Sequence, residues 1–158
     1  MKAKDVMSAK VVTISCQATV LDAAKLMLDR GISGLPVVSE EGRLVGIVTA
    51  GDLLRRAEIG TELHPSIPNP EAIDDFRWFG EYFKSHGGHV EDIMTRDVVR
   101  VFENTPLARV AALMALKGIK RVLVMGDDDK VAGIITRADF LRALVSRTES
   151  LASQSAAR

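Results

Sequence analysis

The sequence is poor in most of the residues that advertise a chemistry. It holds one cysteine in 158 residues, Cys16, so no intrachain disulfide can form, and no other Cys or His stands near it at metal-ligand spacing. That usage fits a reducing, cytoplasmic setting. Aromatic residues make up only 4% of the chain. Neither sign of charge is in excess, with 21 Lys plus Arg against 21 Asp plus Glu and no basic block, which argues against a sequence-independent nucleic-acid binder. No apolar run approaches the roughly 20 residues of a membrane span, and the opening MKAKDVMSAKVV lacks the apolar core of a signal peptide. Also missing are a Walker-type glycine loop and any Ser/His/Asp or Cys/His order in a catalytic context, so the chain is not expected to be an enzyme.

What the chain does contain is a repeat. Shifted by 87 positions (133 − 46), residues 5–55 match residues 92–142 without a gap, and sixteen of those 51 positions are identical. Each unit reads as a short β-branched run (11–14; 98–102), an amphipathic helix, two strands (35–38 and 44–48; 122–125 and 131–135) and a last amphipathic helix. Thr19 with Asp22 predicts a cap for the first helix, Thr105-Pro106 a start for its counterpart, and Gly31 and Gly118 their ends. A β-α-β-β-α unit is too one-sided to bury its sheet alone, so the expected fold class is α/β (α+β), with two units packed sheet to sheet. The expected organisation is one repeat over 4–57, a linker over 58–88, the second repeat over 89–146 and a flexible tail over 147–158. The linker carries five of the seven aromatics, Phe76, Trp78, Phe79, Tyr82 and Phe83, on a helical-looking stretch. That stretch reads either as a plug on the module's edge or as a partner surface.

The same phrase closes the last strand of both units: GIVTAGD at 46–52 and GIITRAD at 133–139. Thr49-x-x-Asp52 and Thr136-x-x-Asp139 have the spacing of a capping box, in which hydroxyl and carboxylate satisfy orphan backbone donors. The same geometry suits a ligand: a threonine at a helix start can meet phosphate, and a carboxylate can accept from ribose hydroxyls. Gly46 and Gly133 leave room for a flat ring or a neighbouring strand. A single copy favours the cap; the duplication of both residue types moves the balance toward the ligand.

The paired phrases, the DVM and DIM openings, the ISGLPVV strand and the duplication together resemble a tandem pair of cystathionine-β-synthase (CBS) domains. Such a pair is called a Bateman module, and the form this chain resembles is the stand-alone bacterial type. The resemblance implies a regulatory, non-catalytic sensor. Its clefts would bind an adenosine-containing ligand such as AMP, ADP, ATP, NAD(H) or S-adenosylmethionine, with no required cofactor and no metal. It also implies a homodimer that signals to a client protein, which the sequence does not name. By the same resemblance Thr49 and Thr136 contact phosphate or ribose, Asp52 and Asp139 hold ribose hydroxyls, and Ile47 and Ile134 line the base. Ile32, Ser33 and Gly34 supply contacts near adenine, with Thr13 and Ala18 beside it; Pro36 and Thr105 complete the candidate set. The second repeat departs from the pattern: Arg100 replaces Thr13, Ile119-Lys120-Arg121 replaces Ile32-Ser33-Gly34, and Arg137 follows Thr136. These cations either serve a polyphosphate or crowd one cleft. The rival reading is a structural interaction module with vestigial clefts, in which the Thr/Asp pairs only cap helices. His86-Gly-Gly-His89 and the Asp127–Asp129 run read as turns rather than metal sites.

Overall fold

The computed structural model describes residues 1–54, 56–61 and 86–156; the aromatic stretch named above lies outside them. Two three-stranded sheets carry the fold. In the first, β1 (Ile14–Ser15) runs parallel to β2 (Gly34–Val38), and β2 pairs antiparallel with β3 (Leu44–Thr49). In the second, β4 (Arg100–Phe102), β5 (Arg121–Met125) and β6 (Val131–Thr136) repeat that pattern. Helix α1 (Val20–Arg30) links β1 to β2, and α3 (Leu107–Leu116) links β4 to β5; a one-turn helix α2 (Val90–Ile93) precedes β4, and α4 (Arg137–Ala156) follows β6. The Thr19–Asp22 box is formed, the Asp22 amide donating to Thr19 Oγ1 at 3.1 Å and the Thr19 amide to Asp22 Oδ2 at 3.0 Å. Gly31 ends α1 with a left-handed φ of 60°, a conformation a side chain would strain.

Alternation along the strands sorts core from site. Leu35, Val37 and Val48 join Ile14, Val20, Ala23 and Met27 in one apolar cluster. Their counterparts Val122, Val124 and Ile135 join Val101, Val110 and Met114 in another. The intervening residues point to the opposite face of each sheet: Gly34, Pro36, Ile47 and Thr49 in the first, Arg121, Leu123, Ile134 and Thr136 in the second.

The chain divides into two compact units, and they are not the two repeats. One unit is Val12–Asp97; the other joins Met1–Val11 to Val98–Arg158. Each opening phrase therefore folds with the sheet of the other repeat. In the second unit the amide of Ala3, wholly buried, donates to the Thr105 carbonyl at 2.8 Å, and Ser8 exchanges backbone bonds of 3.0 and 3.1 Å with Ile134. In the first unit the Val90 amide donates to the Ala18 carbonyl at 2.9 Å, and Thr95 exchanges two 2.9 Å bonds with Ile47. This docking accounts for the glycines. A Cβ on Gly46 would lie 2.6 Å from Met94 Sδ and 3.0 Å from the Thr95 carbonyl oxygen, and one on Gly133 would collide with Met7 Sδ. Of the two visitors expected at these glycines, a neighbouring backbone segment with its methionine is the one found.

The units differ after the repeated phrase. The expected last helix of the first repeat is a single 3-10 turn, Ala50–Leu53, whereas α4 runs for 20 residues. Gly51 stands where the second repeat has Ala138, and glycine costs a helix interior about 1 kcal/mol relative to alanine. Helix α4 also continues through 147–156, where the sequence predicts a tail. That segment has no Gly or Pro, and its hydroxyls fold back on the helix: Thr148 Oγ1 donates to the Leu144 carbonyl at 2.9 Å and Ser150 Oγ to the Ser146 carbonyl at 2.8 Å.

Candidate functional site

Both Thr-x-x-Asp phrases form closed boxes where the last strand of each sheet ends. In the first unit the Thr49 amide and hydroxyl donate to Asp52 Oδ2 at 2.8 and 3.0 Å. In the second the Thr136 amide and hydroxyl donate to Asp139 Oδ2 at 2.6 and 2.8 Å. Both carboxylates are buried, Asp52 to 9% exposure and Asp139 to 3%. The other oxygen of Asp139 is engaged as well: Arg142 Nη2 donates to Oδ1, and Ser8 Oγ donates to it at 3.4 Å. Burial by itself would raise the Asp139 carboxyl, but the amide and hydroxyl of Thr136 and the Arg142 guanidinium together hold it below the ordinary carboxylate range.

Strand register brings most of the candidate residues to the same end of each sheet. In the first unit Gly34 pairs with Thr49 and Pro36 with Ile47 on the face away from the core, and the Ala50 amide donates to the Ser33 carbonyl at 3.0 Å. Ile32 packs against the apolar cluster from the turn before β2, and Thr13 lies immediately before β1, exposed. In the second unit Arg121 pairs with Thr136, and Arg100 pairs with Leu123, itself opposite Ile134. Lys120 and Arg137 flank that pair in the chain, both exposed. Arg137 also lines a cavity of about 300 Å³ with Ala111, Met114, Ala115, Ile119 and Phe140, on the apolar-cluster side of the sheet.

Ala18 and Thr105 are not brought there. β1 is parallel to β2 and Ser15 pairs with Val38, so the chain leaves β1 at the end of the sheet away from Gly34 and Thr49. The carbonyls of these two residues hold the docked opening segments instead, and Thr105 Oγ1 accepts from the Phe102 amide at 3.1 Å.

Sequence reasoning missed Ser8 and Arg142 as partners of Asp139. Arg142 could have been found, because it lies one helical turn beyond Asp139 and is identical in both repeats. Ser8 carries no local signal, being 131 residues away. Arg56 was missed too. It is 5% exposed, donates through Nη1 to the Gly87 carbonyl at 2.9 Å and through Nε to Glu58 Oε2 at 2.9 Å, and so ties together the two ends of the segment between the repeats. Among the described residues no group of three or more His, Cys, Asp or Glu could hold a metal, and no helix is long and apolar enough to cross a membrane.

Comparison with known proteins puts names beside this geometry. The family described as "CBS domain" matches residues 3–58 and again residues 90–146. The chloroplastic CBS domain-containing protein CBSX2 of Arabidopsis thaliana is 32% identical over 127 residues, 77% of this chain and 53% of its own length. Similarity also extends to the L-aspartate semialdehyde sulfurtransferase of Methanocaldococcus jannaschii, 30% identical over 139 residues; the match covers 88% of this chain but 22% of that enzyme. Among solved structures, CBSX2 in complex with AMP superposes with a TM-score of 0.81 at 26% identity, over 93% of this chain and 98% of the other. The CBS domain pair of protein MJ0100, solved with 5'-methylthioadenosine and S-adenosyl-L-methionine, gives a TM-score of 0.69 at 28% identity and the same coverage.

Proposed function

The chain belongs to the CBS domain family as a tandem pair, and from that premise we propose that it is a regulatory sensor of adenosine-containing ligands. The observation that carries the reading is the sorting of residues within each unit. The Thr-x-x-Asp box, the isoleucine two residues before its threonine and the residues opposite them across the sheet occupy one end and one face, away from the apolar cluster. A threonine at a helix start, an adjacent buried carboxylate and an apolar side chain are the groups that phosphate, ribose and a purine ring respectively require. Relatives solved with AMP, 5'-methylthioadenosine and S-adenosyl-L-methionine support adenosine as the common element. The role is binding rather than catalysis: ligand would favour one of two poses of the protein, in proportion to its difference in affinity for them.

The same proposal includes a homodimer. Leu116 on α3 and Leu141, Leu144 and Val145 on α4 are 55–85% exposed, an apolar display that a second copy would cover. Sedimentation of wild type against Leu116→Glu/Leu144→Glu tests it, a dimer dissociated by the double variant being the expected result.

Calorimetric titration of nucleotide-free protein with AMP, ATP, NADH and S-adenosylmethionine tests the ligand. Binding tighter than about 1 mM, weakened at least tenfold by Asp52→Ala or Asp139→Ala, is expected. Loss of melting temperature in both variants with no ligand-dependent shift in any protein would instead mark the boxes as helix caps alone.

A further inference from the structure

Beside each box stands a hydroxyl brought in from a distant part of the chain, and the candidate residues read from the sequence include neither. The bridge between Ser8 and Ile134 is antiparallel, each amide donating to the other's carbonyl at 3.0 and 3.1 Å. Residues paired in this way carry their side chains on the same face. Ser8 therefore stands on the face of β6 that carries Ile134 and Thr136, and its hydroxyl donates to Asp139 Oδ1 at 3.4 Å. In the first unit Thr95 and Ile47 form the same bridge through two 2.9 Å bonds, which sets the Thr95 side chain on the face of Ile47 and Thr49. The register that aligns the repeats puts Thr95 where Ser8 stands.

Docking of the leading segments does not account for these hydroxyls. Backbone bonds hold each segment to the edge of its sheet, and Met7 and Met94, one residue earlier, fill the space over Gly133 and Gly46. Ser8 and Thr95 themselves are exposed. The residues that follow them differ in kind between the repeats, Ala9-Lys10 against Arg96-Asp97, yet the hydroxyl is kept.

The Asp139 carboxylate indicates what such a hydroxyl can do. Oδ2 takes both bonds from Thr136, so Oδ1 is the oxygen turned toward Ser8. Arg142 donates to one side of Oδ1; the Ser8 bond on the other is long, and a rotatable hydroxyl gives it up readily. Two acceptors 3.4 Å apart then suit the neighbouring hydroxyls of a vicinal diol: the carboxylate oxygen accepts from one, and the serine oxygen bonds the other.

We propose that Ser8 and Thr95 are ligand-positioning residues, each binding one hydroxyl of a ribose diol while Asp139 or Asp52 binds its neighbour. The inference rests on the function proposed above and adds to each site a contact from the leading segment of the other repeat.

The test is calorimetric titration of the full chain with AMP, 2'-deoxy-AMP and 3'-deoxy-AMP. Ser8→Ala in Asp52→Ala protein reads the second unit's site, and Thr95→Val in Asp139→Ala protein reads the first. Each is expected to weaken AMP about fivefold, and to change by less than about twofold the deoxy compound that lacks the hydroxyl concerned. Ser8→Thr and Thr95→Ser, which keep the hydroxyl, are expected to hold AMP affinity within about twofold. Ser8→Ala and Thr95→Val as single variants, with both boxes intact, repeat the comparison with both sites filled. An AMP change below about twofold for either variant overturns the assignment at that site. Equal losses for AMP and both deoxy compounds overturn it as well, since the hydroxyl would then serve the fold alone, and either result leaves the sensor function standing. If wild type does not bind AMP the assignment falls, and if it binds neither ATP, NADH nor S-adenosylmethionine the function falls with it.

Discussion

The first unit ends its box in a single 3-10 turn and then hands the chain to the segment between the repeats, whereas the second runs on into a helix of 20 residues. Both boxes share the threonine amide and hydroxyl bonds to one carboxylate oxygen, and the chain that follows them differs. After the first box the buried Arg56 guanidinium grips the Gly87 carbonyl and Glu58, whereas the second repeat has Ala143 at that position, inside the continuing helix. The comparison teaches that a duplicated phrase preserves its hydrogen bonds while its surroundings diverge freely.

Breaking the clasp is expected to have the largest effect. Arg56→Met leaves the buried Gly87 carbonyl without its donor and should cost about 3 kcal/mol in urea unfolding, while Ala143→Ser stays within about 0.5 kcal/mol. Next come the glycines. Gly46→Ala meets a backbone oxygen as well as Met94 and should cost about 2 kcal/mol; at Gly133 the three nearest atoms all belong to the Met7 side chain, and Gly133→Ala should cost about 1 kcal/mol. Adding Met7→Ala should recover most of the loss at Gly133, whereas Met94→Ala should recover little at Gly46, since the Thr95 carbonyl remains.

A comparable or smaller effect is a pH dependence at Asp139. The Asp139 carboxyl is depressed in the folded protein, so its contribution is present above the ordinary carboxylate range and is lost as pH falls through the folded value. Asp139→Asn should therefore be less stable than wild type by about 1 kcal/mol near pH 7, and the gap should begin to narrow below about pH 4 and close as pH falls through the folded value. Chemical denaturation across that range checks it. The smallest effect is expected for Arg142→Ala. Arg142 is 66% exposed, so its pair with Asp139 is screened, and its loss should change stability by less than about 0.5 kcal/mol. Removing the guanidinium from Asp139 Oδ1 should at the same time tighten, not weaken, any ligand that uses that carboxylate, which titration would read.

Much of this molecule was legible before any coordinates. The capping box at Thr19 and Asp22, the helix end at Gly31 and the four longer strands are local matters of propensity and period, and they stand within a residue of expectation. The short strands were less legible. β1 covers only Ile14–Ser15, because a parallel edge strand is defined by its partner rather than by its own β-branched run. Beyond residue 147 the small polar residues that predict a tail continue the helix, with the Thr148 and Ser150 hydroxyls bonded to the preceding turn.

The sequence by itself determined the duplication, the family and the pair of Thr-x-x-Asp boxes, because each depends on residues that are close in the chain or repeated along it. Only the tertiary structure decided that Met7 packs on Gly133 and Met94 on Gly46, that Ala18 and Thr105 hold docked segments rather than joining the boxes, and that Ser8 reaches Asp139. These contacts join residues between 48 and 131 positions apart, and no local pattern encodes them. They are set when a leading segment finds the sheet on which its methionine meets a missing side chain.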